Sequence, residues 1–258
     1  MGVFDDIIER ESIAGSLFVS GVTTGTVKEN WNQDFPGKVR VELLLGEDGK
    51  NLTGWIPVSM PYGGDEYGMY TLPEVGAEVV IAFNMGDRNC PIVIGSLWNN
   101  KNKLPPETAV DKNTVKRFKT KGGCEVVFTD EENKAMIDIH TPGKLQIEIN
   151  DEKKTITIQD DGAKNSIKID AENGVLELVA DKKISLSAGG KAELVLDGQS
   201  GEAKLSADNV KLDAKQGLNL KGQQTALEGG TIEIKAQSTM KQQAGAMLEI
   251  KGAMVKIN

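Results

Sequence analysis

The sequence predicts an all-β protein in two parts: a small five-stranded barrel, then a needle that one copy of the chain cannot complete alone. Three observations carry that reading. Within the first 100 residues lie five short apolar runs separated by turn signals. All three Trp, three Tyr and six Phe fall at or before Phe128, and all eight Pro at or before Pro142. Beyond that point, pairs of aliphatic residues one position apart recur about every eight residues as far as Ile257.

Residues 1–17 carry a short amphipathic segment, with Phe4, Ile7 and Ile8 set against Asp5, Asp6, Glu9 and Arg10. A helix this short is unstable alone, so these apolar residues are expected to dock on something else. The barrel is assigned to residues 18–100, with strands at 18–28, 38–43, 55–58, 78–83 and 91–95. Turns are expected at Pro36-Gly37, from Gly46 to Gly49, from Tyr62 to Gly64, and at Gly86-Asp87. Five strands in this length suit a Greek-key barrel of the OB type, with Val93, Ile94 and Leu97 in its core. Pro73-Glu74-Val75-Gly76 reads as a turn into the fourth strand, Gly supplying a close or left-handed backbone. Residues 101–121 form a polar connector, 122–144 a transition, and 145–258 the needle.

The needle begins with the pair Leu145/Ile147. Its core pairs are then Ile156/Ile158, Ile167/Ile169, Leu176/Leu178, Ile184/Leu186, Leu194/Leu196, Val210/Leu212, Leu218/Leu220, Ile232/Ile234, Leu248/Ile250 and Val255/Ile257. Each pair puts two side chains on one face of a short strand. Turns such as Asn173-Gly174, Asp197-Gly198, Gln216-Gly217 and Gly229-Gly230 follow. Two apolar side chains per strand make a thin seam, with little buried area to offset chain entropy. A solenoid closed by one chain needs longer coils, roughly 20 residues or more. Three copies wound about one axis satisfy the pattern, each giving a strand per level, its neighbours belonging mostly to other copies. The expectation is an intertwined triple-stranded β-helix in a homotrimer, with a stiff shaft on the order of 60 Å long at about 4.8 Å per strand. Aromatic rings are too wide for such an axis, which accounts for their absence after Phe128.

Charge and motif content exclude several functions. The chain carries −8, so three copies would carry three times −8, which disfavours a nucleic-acid partner. Trp55, Tyr62, Tyr67 and Tyr70 lie among Asp65, Glu66 and Glu74, a poor setting for stacking bases. Cys90 and Cys124 lack metal-ligand spacing and are expected as free thiols made in a reducing compartment. No stretch has the length of a membrane span, and the first 20 residues do not read as a signal peptide. There is no G-x-S-x-G, Walker loop or H-E-x-x-H. Glu131-Glu132, Asp151-Glu152 and Asp160-Asp161 sit in turn-like stretches and read as solvated charge. No catalytic residue, cofactor or metal ligand is assigned, and the only histidine, His140, is expected to be structural or exposed.

Four strings in order now carry a resemblance: residues 37–41 (Gly-Lys-Val-Arg-Val), 55–58 (Trp-Ile-Pro-Val), 73–79 (Pro-Glu-Val-Gly-Ala-Glu-Val) and 86–99, which run from Gly86 through Pro91 and Trp98 to Asn99. Together with the repeat behind them they resemble the OB domain of contractile-injection spike proteins. That family includes phage baseplate assembly protein V, the tailed-phage central spike and the type VI secretion protein VgrG. The resemblance implies a non-enzymatic homotrimeric spike that links a baseplate hub to a needle tip and punctures the target cell envelope. It implies assembly in the bacterial cytoplasm as part of a virion or virion-like particle, acting outside the cell.

VgrG proteins place a large hub domain before the barrel, and at most about 17 residues stand there in this chain. A separate hub protein is therefore expected, with Phe4, Ile7 and Ile8 docking on it. Some spikes end in a His-x-His tip that binds iron. This chain closes on Val255, Lys256, Ile257 and Asn258 instead, which implies docking of a PAAR-repeat-type tip protein there. Two other readings stand beside this one. An adhesive or polysaccharide-degrading tailspike would want aromatics or a carboxylate cleft along the shaft, and a hub-less VgrG-like type VI spike would be told by the hub that co-purifies.

Overall fold

The computed structural model describes residue 19 and residues 21–44 and 51–257. Phe4, Ile7, Ile8, Asn258 and the turn around Gly46 lie outside the described residues. The described chain is all-β, its only helical pieces being three single 3-10 turns. It divides into two units, residues 1–184 with 196–202, and residues 185–195 with 203–258.

The first unit opens with the strands of a barrel: β1 (Val22–Glu29), β2 (Lys38–Leu43), β3 (Ile56–Pro57), a small hairpin of β4 (Gly63–Gly64) and β5 (Tyr67–Gly68), β6 (Glu78–Phe83) and β7 (Pro91–Leu97). Five of them pair in the order β3-β2-β1-β6-β7. A parallel bridge from Val58 to Val93, and a 2.7 Å bond from the Ser59 N–H to the Val93 carbonyl, return β7 to the chain just after β3. The ring thus closes with the connectivity of an OB barrel. Alternation decides what it encloses: Val39 and Val41 of β2 point in, as do Val79, Ile81 and Phe83 of β6, with Val27, Ile56 and Val93 completing the core. Their polar neighbours in sequence face solvent, as period-two patterning requires.

Two of the three core residues expected on β7 are not in the core. Val93 is buried, but Ile94 is 49% and Leu97 41% exposed. The cause is a β-bulge. Val80 pairs with Gly95 and Ile81 with Val93, so Ile94 has no residue opposite it and turns outward. Leu97 lies opposite Glu78, on the solvent face. The turn at residues 73–76 forms as expected: Gly76 adopts φ +90°, and the Ala77 N–H donates to the Glu74 carbonyl at 2.9 Å.

A second sheet follows: β8 (Val115–Lys119), β9 (Glu125–Thr129), β10 (Met136–His140), β11 (Gln146–Asn150), β12 (Thr155–Gln159), β13 (Ser166–Asp170) and β14 (Val175–Val179). These seven strands form an antiparallel meander in sequence order. The sheet starts at Val115, inside the segment read as connector. Successive strands lie beside one another in one chain, whereas the repeat led us to expect each strand to pass to a new face and pair with other copies. Short turns with a left-handed residue make this possible, for instance Asn133 at φ +62°, Lys144 at +60°, Lys154 at +53° and Gly174 at +66°. The acidic pairs at 131–132, 151–152 and 160–161 fall in these turns and are solvated apart from the half-buried Asp160.

Three further strands, β15 (Lys183–Ala188), β16 (Ala192–Asp197) and β17 (Glu202–Ala207), form a small sheet in that order. Among the described residues no strand is assigned after Ala207.

Candidate functional site: an apolar ladder on one face of a sheet

The registers of β8–β14 align the aliphatic residues into two unbroken cross-strand rows. One runs Phe118, Val126, Ile139, Ile147, Ile158, Ile167, Leu178. The other runs Phe128, Ile137, Ile149, Ile156, Ile169, Leu176. Their members are two positions apart on each strand, so both rows share one face. Nothing among the described residues covers that face. Eleven of these thirteen side chains are between 40% and 64% exposed, and only Val126 and Ile137 are half-buried.

Six of the ladder residues are positions the sequence assigned to the needle core: Ile156, Ile158, Ile167, Ile169, Leu176 and Leu178. Within one chain they are not core, because the meander is a single layer. The rows also include Phe118, Val126, Phe128, Ile137, Ile139 and Ile149, which the repeat did not single out. Leu145 precedes β11 and is 58% exposed, so the pair on that strand is Ile147/Ile149. Cross-strand register, with Ile149 opposite Ile156, is what selects it.

In a single copy the later pairs are likewise largely uncovered. On β15, Ile184 is half-buried and Leu186 exposed. On β16, Leu194 and Leu196 are both exposed, at 36% and 42%, and it is Val195, on the other face of the strand, that is half-buried. The expected core pair Leu194/Leu196 is therefore uncovered in a single copy: a three-stranded sheet has two faces, and none of the described residues forms a second layer over the one these leucines share. Val210, Leu212, Leu218, Leu220, Ile232, Ile234, Leu248 and Ile250 are exposed as well. Of the last four residues, Val255, Lys256 and Ile257 are exposed.

The opposite face of the β8–β14 sheet carries a network of ion-paired and hydrogen-bonded polar residues. Glu125 is buried, with Arg117 Nε at 2.7 Å and Lys119 Nζ at 2.9 Å, and His140 Nε2 approaches at 3.5 Å. Burial pushes the Glu125 carboxyl up, but the hydrogen bond from Lys119 and the charges of Arg117, Lys119 and His140 outweigh it and hold it below the usual carboxylate range. His140 Nδ1 also meets Asp138, to which Gln146 Nε2 donates, and Gln159 Nε2 donates to Gln146 Oε1 at 2.8 Å. His140 is therefore a structural member of this network, on the face away from the ladder. An axis lined by the ladder would not bring its copies together.

Cys90 and Cys124 are free, exposed thiols. No helix among the described residues is long and apolar enough to cross a membrane. On the barrel, Trp55 stacks on Phe35 with ring centroids 6.2 Å apart, and Tyr62 meets Tyr67 in a tilted pair at 5.4 Å.

One face of this sheet thus carries a charged, paired network, and the other a bare apolar ladder. The type VI secretion system/phage-baseplate injector OB domain family matches residues 23–98, the segment that folds as the barrel. Among curated proteins, the chain is 32% identical over 130 residues to type VI secretion system spike protein VgrG5 of Pseudomonas aeruginosa, covering 47% of this chain and 16% of that protein. It is 28% identical over 136 residues to VgrG1b of the same organism, covering 48% and 18%. It is also 32% identical over 91 residues to actin cross-linking toxin VgrG1 of Vibrio cholerae, covering 33% and 8%. The chain therefore spans less than a fifth of the length of these relatives.

Proposed function

We propose that this chain, whose residues 23–98 match the injector OB domain family, is the homotrimeric central spike of a contractile injection particle such as a phage tail or tailocin. The single observation that carries the trimer is the bare ladder. Covering the exposed two-fifths of one Ile side chain is worth about 1–2 kcal/mol, and eleven such residues per chain provide ample drive to offset the entropy lost on association. Three copies of the sheet, each turning its ladder inward and its Glu125–Arg117 face outward, bury every row and leave a charged exterior.

The function that follows is mechanical. Load applied at the barrel end passes down a shaft whose levels are tied by backbone pairing and a shared apolar seam, and the shaft punctures the target envelope. The chain's own residues provide stiffness and not chemistry. A baseplate hub at the barrel end, with Phe4, Ile7 and Ile8 as the docking residues, supplies the push. At the needle end a prism leaves strand edges and apolar cross-section open, which a PAAR-repeat-type tip protein at Val255, Lys256, Ile257 and Asn258 would cover. A second reading, a spike of the type VI secretion kind, is favoured by the names of the relatives, and the hub that co-purifies distinguishes the two.

The test is electrophoretic. The protein should run as a trimer in SDS without heating and as a monomer after boiling, since the interlocked seam makes opening slow. A monomer band in the unheated sample, together with a compact particle in electron micrographs, would contradict the proposal.

A further inference from the structure

We propose that the turn joining β13 to β14 carries a self-modification site: the Gly174 backbone nitrogen closes on the Asn173 carboxamide and converts Asn173 to aspartate and isoaspartate, with Asp170 as the brake. The inference concerns one hairpin of one copy and does not depend on the spike reading.

The sequence supplies the reactive step. Asn173-Gly174 is the one place in the chain where Asn precedes Gly. Ring closure requires the nitrogen of the following residue to reach the Asn Cγ, and a side chain on that residue crowds the approach. Glycine has none. Gly174 takes φ +66°, and a Cβ placed on it would meet nothing within 4 Å, so neighbouring atoms do not crowd the site either. The turn residues Ala171, Glu172, Asn173 and Gly174 are all exposed, which gives water access.

Water is the only other reactant. The Gly174 N–H gives its proton to hydroxide, and its nitrogen bonds to the Asn173 Cγ. The Cγ–Nδ2 bond then breaks, and ammonia departs after taking a proton from water, which leaves a cyclic imide. Water next adds to either imide carbonyl. Opening at one restores the ordinary backbone with aspartate at position 173, whereas opening at the other routes the main chain through the side-chain carbon as isoaspartate. The net exchange takes up water and releases ammonia.

The structure supplies the brake. The Asn173 N–H donates to Asp170 Oδ1 at 3.0 Å, and Asn173 Nδ2 donates to Oδ1 at 3.2 Å and to Oδ2 at 3.1 Å. These bonds pin the carboxamide by the nitrogen that must depart. The Asn173 N–H and then its Nδ2 also hold the Asp170 carboxyl below the usual carboxylate range, helped by Lys168 Nζ at 3.9 Å. An ionised Asp170 has no proton to give the leaving nitrogen, so it restrains the amide without assisting its departure. Asn165 is the comparison within the same sheet. Its N–H donates to Asp160 Oδ1 at 3.0 Å and its Nδ2 to Asp160 Oδ2, but Ser166 follows it, so the restraint is present without the open nitrogen.

The product undoes its own turn. Aspartate at position 173 removes the Nδ2 donor and sets a second carboxylate against Asp170. Isoaspartate adds a main-chain carbon to a loop that closes on the Asp170–Val175 pair, which works β14 out of register. β14 is the edge strand of its sheet and is hydrogen-bonded to β13 alone among the described strands. Leu176 and Leu178, which end the two ladder rows, loosen with it.

Ageing the purified full chain at neutral pH tests this, with peptide mapping by mass spectrometry and isoaspartate labelled by a carboxyl methyltransferase. Residue 173 should convert before any other Asn, and Asn173→Gln should show no isoaspartate in that peptide. Conversion first at another Asn, or an intact Asn173 when a denatured sample of the same age has reacted, overturns the site. Asp170→Ala should convert about tenfold faster, the equivalent of losing one hydrogen bond to a charged group. Asp170→Asn keeps the size and an acceptor oxygen and should fall between that variant and the wild type, and it decides the matter if hydrogen exchange shows the alanine variant unfolded in β13. Rates equal to or below the wild type overturn the brake. In aged protein the amides of residues 175–179 should exchange about tenfold faster than in fresh protein, with β10 and β11 unchanged. Equal exchange in fresh and fully converted protein overturns the loosening of β14.

Discussion

Gly25, in the middle of β1, shows how tightly single positions are set. A Cβ there would lie 2.6 Å from Val41 Cγ1, 2.7 Å from the Glu42 carbonyl oxygen and 3.2 Å from Ile81 Cδ1. The carbonyl belongs to the strand paired with β1 and cannot step aside without opening the barrel. Gly25→Ala should therefore destabilise the barrel by about 2 kcal/mol or more, visible as a lower denaturation midpoint with an unchanged slope. Glu125 gives a pH prediction. Its carboxyl is depressed in the folded state, so its stabilising contribution is complete above the ordinary glutamate value of about 4.3 and is lost as pH falls through the folded value. Unfolding followed against pH should show stability falling on acidification below that point. In Glu125→Gln the acid-dependent loss should shrink, and stability at neutral pH should drop because Arg117 and Lys119 lose their counter-charge.

Among the elements, the barrel strands were legible in the sequence because alternation and turn residues agree along β2 and β6. Ile94 was not, because a bulge depends on the partner strand and leaves no local mark. The ladder was half legible. Ile156/Ile158 and Ile167/Ile169 stand out as pairs, but Phe118 and Val126 are masked by the basic residues around them and by the consecutive Val126-Val127-Phe128. Leu194-Val195-Leu196 is masked in the same way, since three apolar residues in a row leave open which face of β16 is covered. Nor does the repeat say that β8–β14 pair within one copy. That depends on the turns, on the left-handed residues Asn133, Lys144 and Lys154, none of them glycine. At this scale the prediction is a contrast. Ile156→Asp, on the ladder, should abolish the trimer, whereas Thr157→Asp, on the opposite face of the same strand, should leave it assembled with a midpoint changed by less than about 0.5 kcal/mol. Gel filtration of the two variants checks it.

For the molecule as a whole, the account depends on the apolar face of β8–β14 being covered by further copies of this chain. The polar Glu125 network and the bare ladder lie on opposite faces of one sheet, an arrangement that one copy leaves half finished. The most direct measurement is the mass of the folded, purified protein by sedimentation equilibrium over a range of concentrations. The account predicts a species of three times 27.8 kDa that persists on dilution. A folded species of 27.8 kDa at all concentrations would contradict it.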